Sequence, residues 1–290
     1  MRVTQGMISN NLLRNLSSNY SELNKYMNQL QTGKKISRPS EDPLVAIKGM
    51  NYRTEVSRVQ QYQRNLGEVE NWYDNTDSAL DKATAALQRI RELAIQASTD
   101  TNEQSDLDSI RMEVDQLKAH LVDVANTNVN DKYIFNGTNT DTPPYNDQGH
   151  ANEQSNASVL IAISDETTLQ ANLRAEEVFG DEDGIFGTID GFLDKLENGE
   201  SVDGSISELD EGIDQIINAR ADLGARMNRL ELIENRLSEQ EILATRSMSE
   251  NEDVNYAEAI TNLITQESIH RAALAAGSRI IQPSLVDFLR

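Results

Sequence analysis

The three histidines, His120, His150 and His270, are the first candidates for a chemical role in this sequence. They lie far apart, and none has a second histidine or a cysteine three or four positions away. That spacing is what places two transition-metal ligands on one face of a helix. The chain also contains no cysteine, so it has no disulfide framework and no reactive thiol. The sequence therefore predicts no transition-metal centre.

Carboxylates are so abundant, at 48 aspartate and glutamate residues, that their pairing carries no catalytic signal. The densest group, GDEDG at 180–184, lacks the spacing and the closing glutamate of an EF-hand, and we interpret it as a solvated turn. Asn136-Gly137-Thr138 matches a glycan acceptor pattern, although an Asn-Gly turn is the simpler account. The sequence contains no phosphate-binding loop, dinucleotide fingerprint or nucleophile elbow. We predict neither an enzyme nor a cofactor.

The charge of the chain is large and unevenly placed. The formal net charge is -22, yet the first 66 residues hold ten basic and four acidic side chains and are therefore at +6. The remainder, with 16 basic and 44 acidic side chains, is at -28. An acidic body repels phosphate backbones, so nucleic acid is not an expected partner. Two interpretations stay open: the basic arm meets the acidic body of another subunit, or the charge is ordinary solvated surface.

Four segments repeat apolar residues alternately three and four positions apart, or seven apart, which is typical of helices packed as coiled coils. The series run from Leu13 to Leu30, from Tyr62 to Ala97, from Leu107 to Val124, and from Leu209 to Ala244. The second helix is expected to begin near Pro43 and to reach about Ser98. Such long helices in a chain with only 5% aromatic residues predict a helical rod rather than one compact globular core.

The region between the third and fourth series has a different character. Asn136-Gly137 and Pro143-Pro144 are turn signals, residues 158–164 (SVLIAIS) suggest a buried strand, and residues 168–180 (TLQANLRAEEVFG) suggest another strand or a hairpin. We therefore predict a small β-rich insertion domain at residues 138–182. The rod domain then comprises residues 35–137 and 183–254, and the two chain ends, 1–34 and 255–290, form a separate terminal domain.

The chain ends combine apolar heptads with few acidic residues, so a hairpin of the two end helices would leave much apolar surface in water. We expect these ends to pair with each other and with neighbouring subunits, and to be weakly ordered in a free monomer. The predicted subunit-interaction residues are Leu13, Leu16, Tyr20, Leu23, Met27, Leu30, Ile260, Leu263, Ile269, Leu274, Ile280, Leu285 and Leu289.

The stretch LQTGKKISRPSEDP, residues 30–43, interrupts the helical pattern between the first end and the rod. Gly33 can end a helix, and the two prolines prevent smooth continuation. Glu41 and Asp42 sit favourably at the N-terminus of the next helix. We interpret this stretch as a jointed linker, with a plain surface loop as the alternative. The predicted linker residues are Gly33, Pro39, Glu41, Asp42 and Pro43.

Six stretches carry a resemblance to the flagellin family of bacterial flagellar proteins. They are MRVTQGMISNNLLRNL at the start, LQTGKKISRPSEDP, residues 62–98, DKYIFNGT, ARADLGARMNRLE, and the terminal SRIIQPSLVDFLR. Two differences from flagellin itself favour a member that acts at the junction of hook and filament. The chain has SRPSEDP where flagellin usually has an alanine-rich stretch, and it ends in SLVDFLR rather than a leucine-rich tail. Pro283, within the terminal helix pattern, departs from what the family leads us to expect.

The resemblance implies a structural adaptor of the flagellar axis, located outside the cell. It implies a ring of copies between hook-associated protein 1 and flagellin, with the terminal helices lining an inner tube and the β-rich part facing solvent. It also implies export through the flagellar type III apparatus, after a cytosolic export chaperone captures the C-terminal segment. The start of the chain lacks the apolar core of a cleaved signal peptide, and no stretch is apolar enough for membrane insertion.

Two other functions stay open on the sequence alone. The chain could be a short flagellin that forms the filament itself, or an exported adhesin that carries its β-rich insertion on a coiled-coil stalk. Self-polymerisation into long filaments would distinguish the first, and loss of adhesion with retained motility after deletion of residues 138–182 would distinguish the second.

Overall fold

The computed structural model describes residues 5–99, 104–152, 155, 157–180 and 184–281, and most of them are helical. The helices of this part are α1 (Gln5–Thr32), α2 (Pro43–Ala97), α3 (Gln104–Ala125), α4 (Ala175–Phe179), α5 (Ile185–Asn198), α6 (Asp203–Glu252) and α7 (Tyr256–Ile281). The strands are β1 (Asn128–Val129), β2 (Lys132–Tyr133), β3 (Leu160–Ala162) and β4 (Thr168–Gln170). The predicted mainly helical fold with a small β-rich part is confirmed.

The chain folds as two compact units. Unit 1 comprises residues 1–58 and 240–290, and unit 2 comprises residues 59–239. The division into terminal, rod and insertion domains that the sequence suggests remains a prediction. No helix among the described residues has both the length and the hydropathy that a membrane span requires.

The heptad residues of α2, α3 and α6 form the core of unit 2. Every member of the α2 series from Leu66 to Ala94 is buried, and so is every member of the seven-residue series of α6 from Leu209 to Leu237. Trp72 packs in this core with 9% of its surface exposed. A 3.5-residue period keeps one stripe facing a partner helix over many turns, which is why the periodicity located the core so well.

Arginine side chains tie α2 to α6 at the edge of this core. Arg220 of α6 donates from Nε to Asp77 at 2.7 Å and from Nη1 to Asp81 at 2.7 Å. Arg91 of α2 pairs with Asp210 of α6. These side chains are more than a third exposed, so the pairs fix the alignment of the two helices more than they add to stability.

The β-rich part is held together by an aromatic cluster rather than by an extended sheet. Strands β1 and β2 pair antiparallel, as do β3 and β4. The rings of Phe135 and Phe179 meet edge to face at 5.5 Å, and Tyr145 lies 4.8 Å from Phe186. Since Phe186 belongs to α5, this cluster joins the β-rich part to the helices of unit 2.

One sequence prediction in this region needs correction. Residues 168–180 suggested a strand or a hairpin, but β4 ends at Gln170 and residues Ala175–Phe179 form α4. The Arg174 side chain pairs with Glu177 at 2.6 Å across the first turn, while Phe179 is fully buried in the aromatic cluster. Tertiary burial of this apolar turn decided its conformation.

The β-rich part lies along α2. Asn65 donates from Nδ2 to the carbonyl oxygen of Ala162 at 2.7 Å, and the Tyr73 hydroxyl donates to the carbonyl oxygen of Gln170 at 2.6 Å. Tyr62 reaches Asp165 at 2.6 Å. These contacts span three turns of α2, so the β-rich part is an integral layer of unit 2.

Candidate subunit-interaction surface

Helices α1 and α7 pack against each other in antiparallel directions. The Leu12 side chain lies over Gly277, where a Cβ atom would approach it to 2.6 Å. Further along α1, Asn19 Oδ1 accepts a hydrogen bond from Gln266 Nε2 at 2.9 Å. Buried Gly277 thus allows close approach of the two helices near the chain ends.

The predicted α1 residues divide between two faces. Leu16, Leu23 and Leu30 are half-buried, and their helical spacing places them on the face that carries Leu12 toward α7. In contrast, Leu13, Tyr20 and Met27 are 57%, 61% and 57% exposed. Within the described part of the chain, the second set therefore forms an apolar row that its own helix pair does not cover.

The predicted α7 residues divide similarly. Leu263 is half-buried, whereas Ile260, Ile269 and Leu274 are 46%, 47% and 50% exposed. Ile280 belongs to α7, but its side chain lies outside the described part of the structure, and so do Leu285 and Leu289 in full. The sequence prediction missed Ile264, which is 58% exposed.

Most of these exposed residues lie on one side of the helix pair. At about 100° per residue, the exposed α1 row lies roughly 60–100° from the centre of the face toward α7. Ile260 and Leu274 lie about 70–110° from the corresponding centre on α7, in the same sense of rotation. Because α1 and α7 are antiparallel, residues displaced in the same rotational sense about their own helix axes lie on the same side of the helix pair. In agreement, the ring centroids of Tyr20 and His270 are 6.4 Å apart. We call this surface the terminal stripe: Leu13, Tyr20, Met27, Ile260 and Leu274.

The linker between α1 and α2 begins and ends with defined caps. Gly33, at φ 71°, takes the left-handed conformation, and its N–H donates to the carbonyl oxygen of Gln29 at 2.8 Å. Pro43 is the first residue of α2, and Asp42 Oδ1 accepts from the N–H groups of Leu44 and Val45 at 3.0 and 3.1 Å.

Inside the linker, Glu41 is held by Ser37. Its carboxylate accepts from the Ser37 N–H at 2.8 Å and from the Ser37 hydroxyl at 2.9 Å. The backbone hydrogen bond from Ser37 is the main cause that lowers the pKa of Glu41. Pro39 lies exposed in the same turn. Four of the five predicted linker residues thus lie between α1 and α2, and the fifth, Pro43, is the first residue of α2.

Backbone hydrogen bonds fasten this linker to the junction between α6 and α7. The Lys35 N–H donates to the Glu252 carbonyl oxygen at 2.7 Å, and the Val254 N–H donates to the Gly33 carbonyl oxygen at 2.9 Å. In addition, Asn251 Nδ2 donates to the carbonyl oxygen of Val45 at 3.0 Å. We call residues 33–35 together with 251–254 the linker clamp.

Glu252 is the charged centre of the linker clamp. Its side chain is only 7% exposed and accepts from Arg53 Nη2 at 2.7 Å, with Lys34 Nζ at 3.4 Å. The hydrogen bond from Arg53 is the main cause that lowers the pKa of Glu252. Lys34 also binds Asp253 at 2.7 Å, and this bond lowers the pKa of Asp253 and raises that of Lys34.

Gly49 makes room for this carboxylate. A Cβ atom at position 49 would lie 2.5 Å from Glu252 Oε1. The clamp residues Lys34, Glu252 and Asp253 were not predicted from the sequence, because Lys34 and Asp253 are 219 positions apart and no pattern joins them.

Comparison with known proteins places the chain in a family. The model of the bacterial flagellin N-terminal helical region matches residues 3–140, and that of the flagellin C-terminal helical region matches residues 206–289. Together they span both terminal helices, the linker and most of α2, α3 and α6. The chain belongs to the flagellin family. This identification confirms the resemblance that the six sequence stretches indicated.

Relatives within the flagellin family match the chain over nearly its whole length. Flagellar hook-associated protein 3 of Escherichia coli K12 is 25% identical over 95% of this chain and 96% of its own. Flagellin of Bacillus subtilis 168 is 28% identical over 95% of this chain and 94% of its own. The crystal structure of Bacillus cereus FlgL superposes with a TM-score of 0.60, at 23% identity, over 69% of this chain and 99% of its own.

Among the described residues, no three histidine, aspartate or glutamate side chains gather as a metal ion would require. Asn136 of the glycan pattern is 1% exposed, and its Nδ2 donates to the Thr142 carbonyl oxygen at 2.9 Å, which is the role of a buried turn. Most of the acidic turn at 180–184 lies outside the described residues.

Proposed function

We propose that this chain is a structural adaptor of the bacterial flagellar axis that joins hook to filament. Copies of it form a ring between hook-associated protein 1 and flagellin. The observation that carries the proposal is the end-to-end match with a relative named flagellar hook-associated protein 3, across 95% of this chain and 96% of that protein. A solved flagellar junction protein of Legionella pneumophila also has this fold, with a TM-score of 0.57.

The terminal stripe supports assembly into a multi-subunit structure. Its five side chains are between 46% and 61% exposed along one side of the α1–α7 pair. Apolar rows at heptad spacing are covered in coiled coils by further helices, and large exposed apolar patches mark interaction sites. In the ring, the stripe of one copy packs against the end helices of the next. The predicted residues of the stripe are thus the first candidates for contact between copies.

The adaptor works by geometry and not by catalysis. The linker clamp sets the angle at which the end helices leave α2 and α6 within unit 1. Because the two ends of a ring present different surfaces, one end can accept hook-associated protein 1 and the other flagellin. The protein reaches this place outside the cell through the flagellar export apparatus, with an export chaperone bound to its C-terminal segment.

A deletion strain tests the proposal directly. Cells that lack this chain are expected to carry hooks without filaments and to release flagellin into the medium, and the wild-type gene on a plasmid should restore filaments. Complementation with Leu13→Ser/Tyr20→Ser should fail although the variant is exported. A matched control, Ser17→Ala/Ser18→Ala on the same helix, should restore filaments. Normal filaments in the deletion strain would contradict the proposal.

A short flagellin is the second candidate, because flagellin of Bacillus subtilis matches at 28% identity over nearly the same length. Purified protein that polymerises alone into long filaments would favour it. The adhesin alternative has less support, because Asn65 and Tyr73 hold the β-rich part along α2 instead of leaving it as a separate binding module. Deletion of residues 138–182 should therefore disturb the fold of unit 2 rather than remove adhesion alone.

A further inference from the structure

Helix α2 begins with an apolar face that points away from α6. Leu44, Ile47 and Met50 are 63%, 54% and 59% exposed. The opposite face contacts α6, since the Val45 carbonyl oxygen binds Asn251 and Gly49 lies beneath Glu252. At about 100° per residue, Leu44 and Met50 lie roughly 120° from the centre of that face and Ile47 lies about 180° from it. We call Leu44, Ile47 and Met50 the outward stripe.

The outward stripe is unusual for the surface helix of a soluble unit. A helix that buries one face normally presents polar residues on the opposite face. Here three large apolar side chains, each more than half exposed, occupy fewer than two turns. Such a cluster marks a surface that another molecule covers. It is also distinct from the terminal stripe, which belongs to α1 and α7.

The surroundings of the outward stripe are basic. Lys48 flanks it on one side, Arg58 follows on the same face two turns beyond Met50, and Glu55 is the one acidic residue between positions 44 and 58. Arg53 lies on the opposite face, where it binds Glu252 at 2.7 Å. Unit 1 as a whole holds 13 basic and 11 acidic side chains, for a net charge of +2. The preferred occupant therefore presents an apolar centre with an acidic rim.

Unit 2 of this chain presents such a surface. It holds 13 basic and 37 acidic side chains, for a net charge of -24. On α3, Met112 is 65% exposed, with Asp108 one turn before it and Asp115 one turn after it, both exposed. Of the large exposed apolar residues in the described part of unit 2, only Met112 has an acidic residue one turn away on both sides.

We propose that the outward stripe of one copy docks on the Met112 face of α3 in a second copy. Leu44, Ile47 and Met50 cover Met112, while Lys48 meets the carboxylates of Asp108 and Asp115. This inference rests on the proposed assembly of copies in the flagellar axis, and it specifies the contact that they use. The opposite charges of units 1 and 2 orient the encounter.

Disulfide cross-linking tests the contact cleanly because the natural chain has no cysteine. A strain that lacks the chromosomal gene expresses two differently tagged full-length copies, Met50→Cys in one and Met112→Cys in the other. Mild oxidation of intact cells is expected to give a dimer that carries both tags. The matched control pairs Met50→Cys with Leu232→Cys, since Leu232 is 72% exposed in unit 2 but has Arg229 and Arg236 one turn away. Equal yields from the two pairs, or no mixed dimer with Met112→Cys, would overturn the inference.

A charge exchange gives an independent measurement. Lys48→Glu in the Met50→Cys copy should lower the yield of mixed dimer at least fivefold, and Asp115→Lys in the Met112→Cys copy should restore most of it. A yield that stays constant through both changes would also overturn the assigned contact. Antibody labelling of the same cells separates this inference from the proposed function. Label at the hook–filament boundary without the mixed dimer refutes only the docking contact. A mixed dimer without label at the boundary supports the contact and refutes the junction role.

Discussion

Replacement of Gly49 by alanine tests whether the linker clamp depends on a buried carboxylate. Glycine inside a helix costs about 1 kcal/mol relative to alanine, so an unobstructed Gly→Ala change in α2 should stabilise the protein. Gly67, in the same helix, meets nothing within 4 Å of a built Cβ atom. Gly67→Ala is therefore the matched control, and it should raise the free energy of unfolding by about 1 kcal/mol.

Gly49→Ala should instead lower the free energy of unfolding. Its Cβ atom would lie 2.5 Å from Glu252 Oε1, so the carboxylate must leave Arg53 and Lys34. A hydrogen bond between charged groups contributes about 1.5–3 kcal/mol when shielded and less than about 1 kcal/mol at an exposed surface. Since Glu252 is buried and both partners are partly exposed, we take about 2–3 kcal/mol for the two contacts together. When the gain of about 1 kcal/mol from the higher helix propensity of alanine is subtracted from this loss, Gly49→Ala should destabilise unit 1 by about 1–2 kcal/mol.

A double-mutant cycle isolates the contact between positions 49 and 252. In a Glu252→Ala background nothing opposes the new methyl group, so Gly49→Ala should regain its stabilising effect of about 1 kcal/mol. Hydrogen exchange of peptides 33–37 and 250–254, read by mass spectrometry, measures opening of the linker clamp. Denaturant unfolding read by Trp72 fluorescence measures the Gly67→Ala control in unit 2. The reasoning is refuted if Gly49→Ala stabilises the wild type as much as Gly67→Ala does, or if its effect is the same in both backgrounds.

Three further predictions concern charge and packing. The folded pKa values of Glu252 and Asp253 lie below their ordinary values, so the stability that they contribute is present above the unfolded pKa values near 4 and is lost as pH falls through the folded ones. The difference in linker-clamp opening free energy between wild type and Glu252→Gln should therefore shrink as pH falls below about 4 and vanish once the pH lies below the folded pKa of Glu252. A difference that does not shrink below about pH 4 would contradict the electrostatic account. Phe179→Ala empties the centre of the aromatic cluster and should cost unit 2 about 3–5 kcal/mol by Trp72 fluorescence, whereas a cost under about 1 kcal/mol would show that the β-rich part is not integral. Arg220→Ala should lower the unfolding free energy of unit 2 by only about 1 kcal/mol, and by less at high salt, because the ion pairs of Arg220 with Asp77 and Asp81 are solvated. A large loss of unfolding free energy that does not depend on salt would show that these ion pairs are shielded from solvent.

The helical core of unit 2 could be predicted from the sequence because its information is local and repeated. A 3.5-residue period predicts which side chains are buried. Every member of the α2 series from Leu66 to Ala94 is buried, and so is every member of the seven-residue α6 series from Leu209 to Leu237. The same pattern did not predict which residues of the terminal helices face each other. Leu16 and Leu13 belong to one heptad series, yet only Leu16 lies toward α7.

The remaining features depend on contacts between distant residues. α4 forms where strand propensity was expected, because Phe179 is buried among aromatic rings from three other segments. The linker clamp joins Lys34 to residues more than two hundred positions away, and its Glu252 occupies space that only a glycine at position 49 leaves open. Periodicity and turn signals describe single segments, so they cannot encode either contact.

The position of the protein on the cell tests the account most directly. Gold-labelled antibody against this chain, imaged on flagella of intact cells by electron microscopy, should mark a single short band at the boundary between hook and filament. Label along the whole filament would instead show that the chain is the filament subunit, and the proposed adaptor role would be wrong.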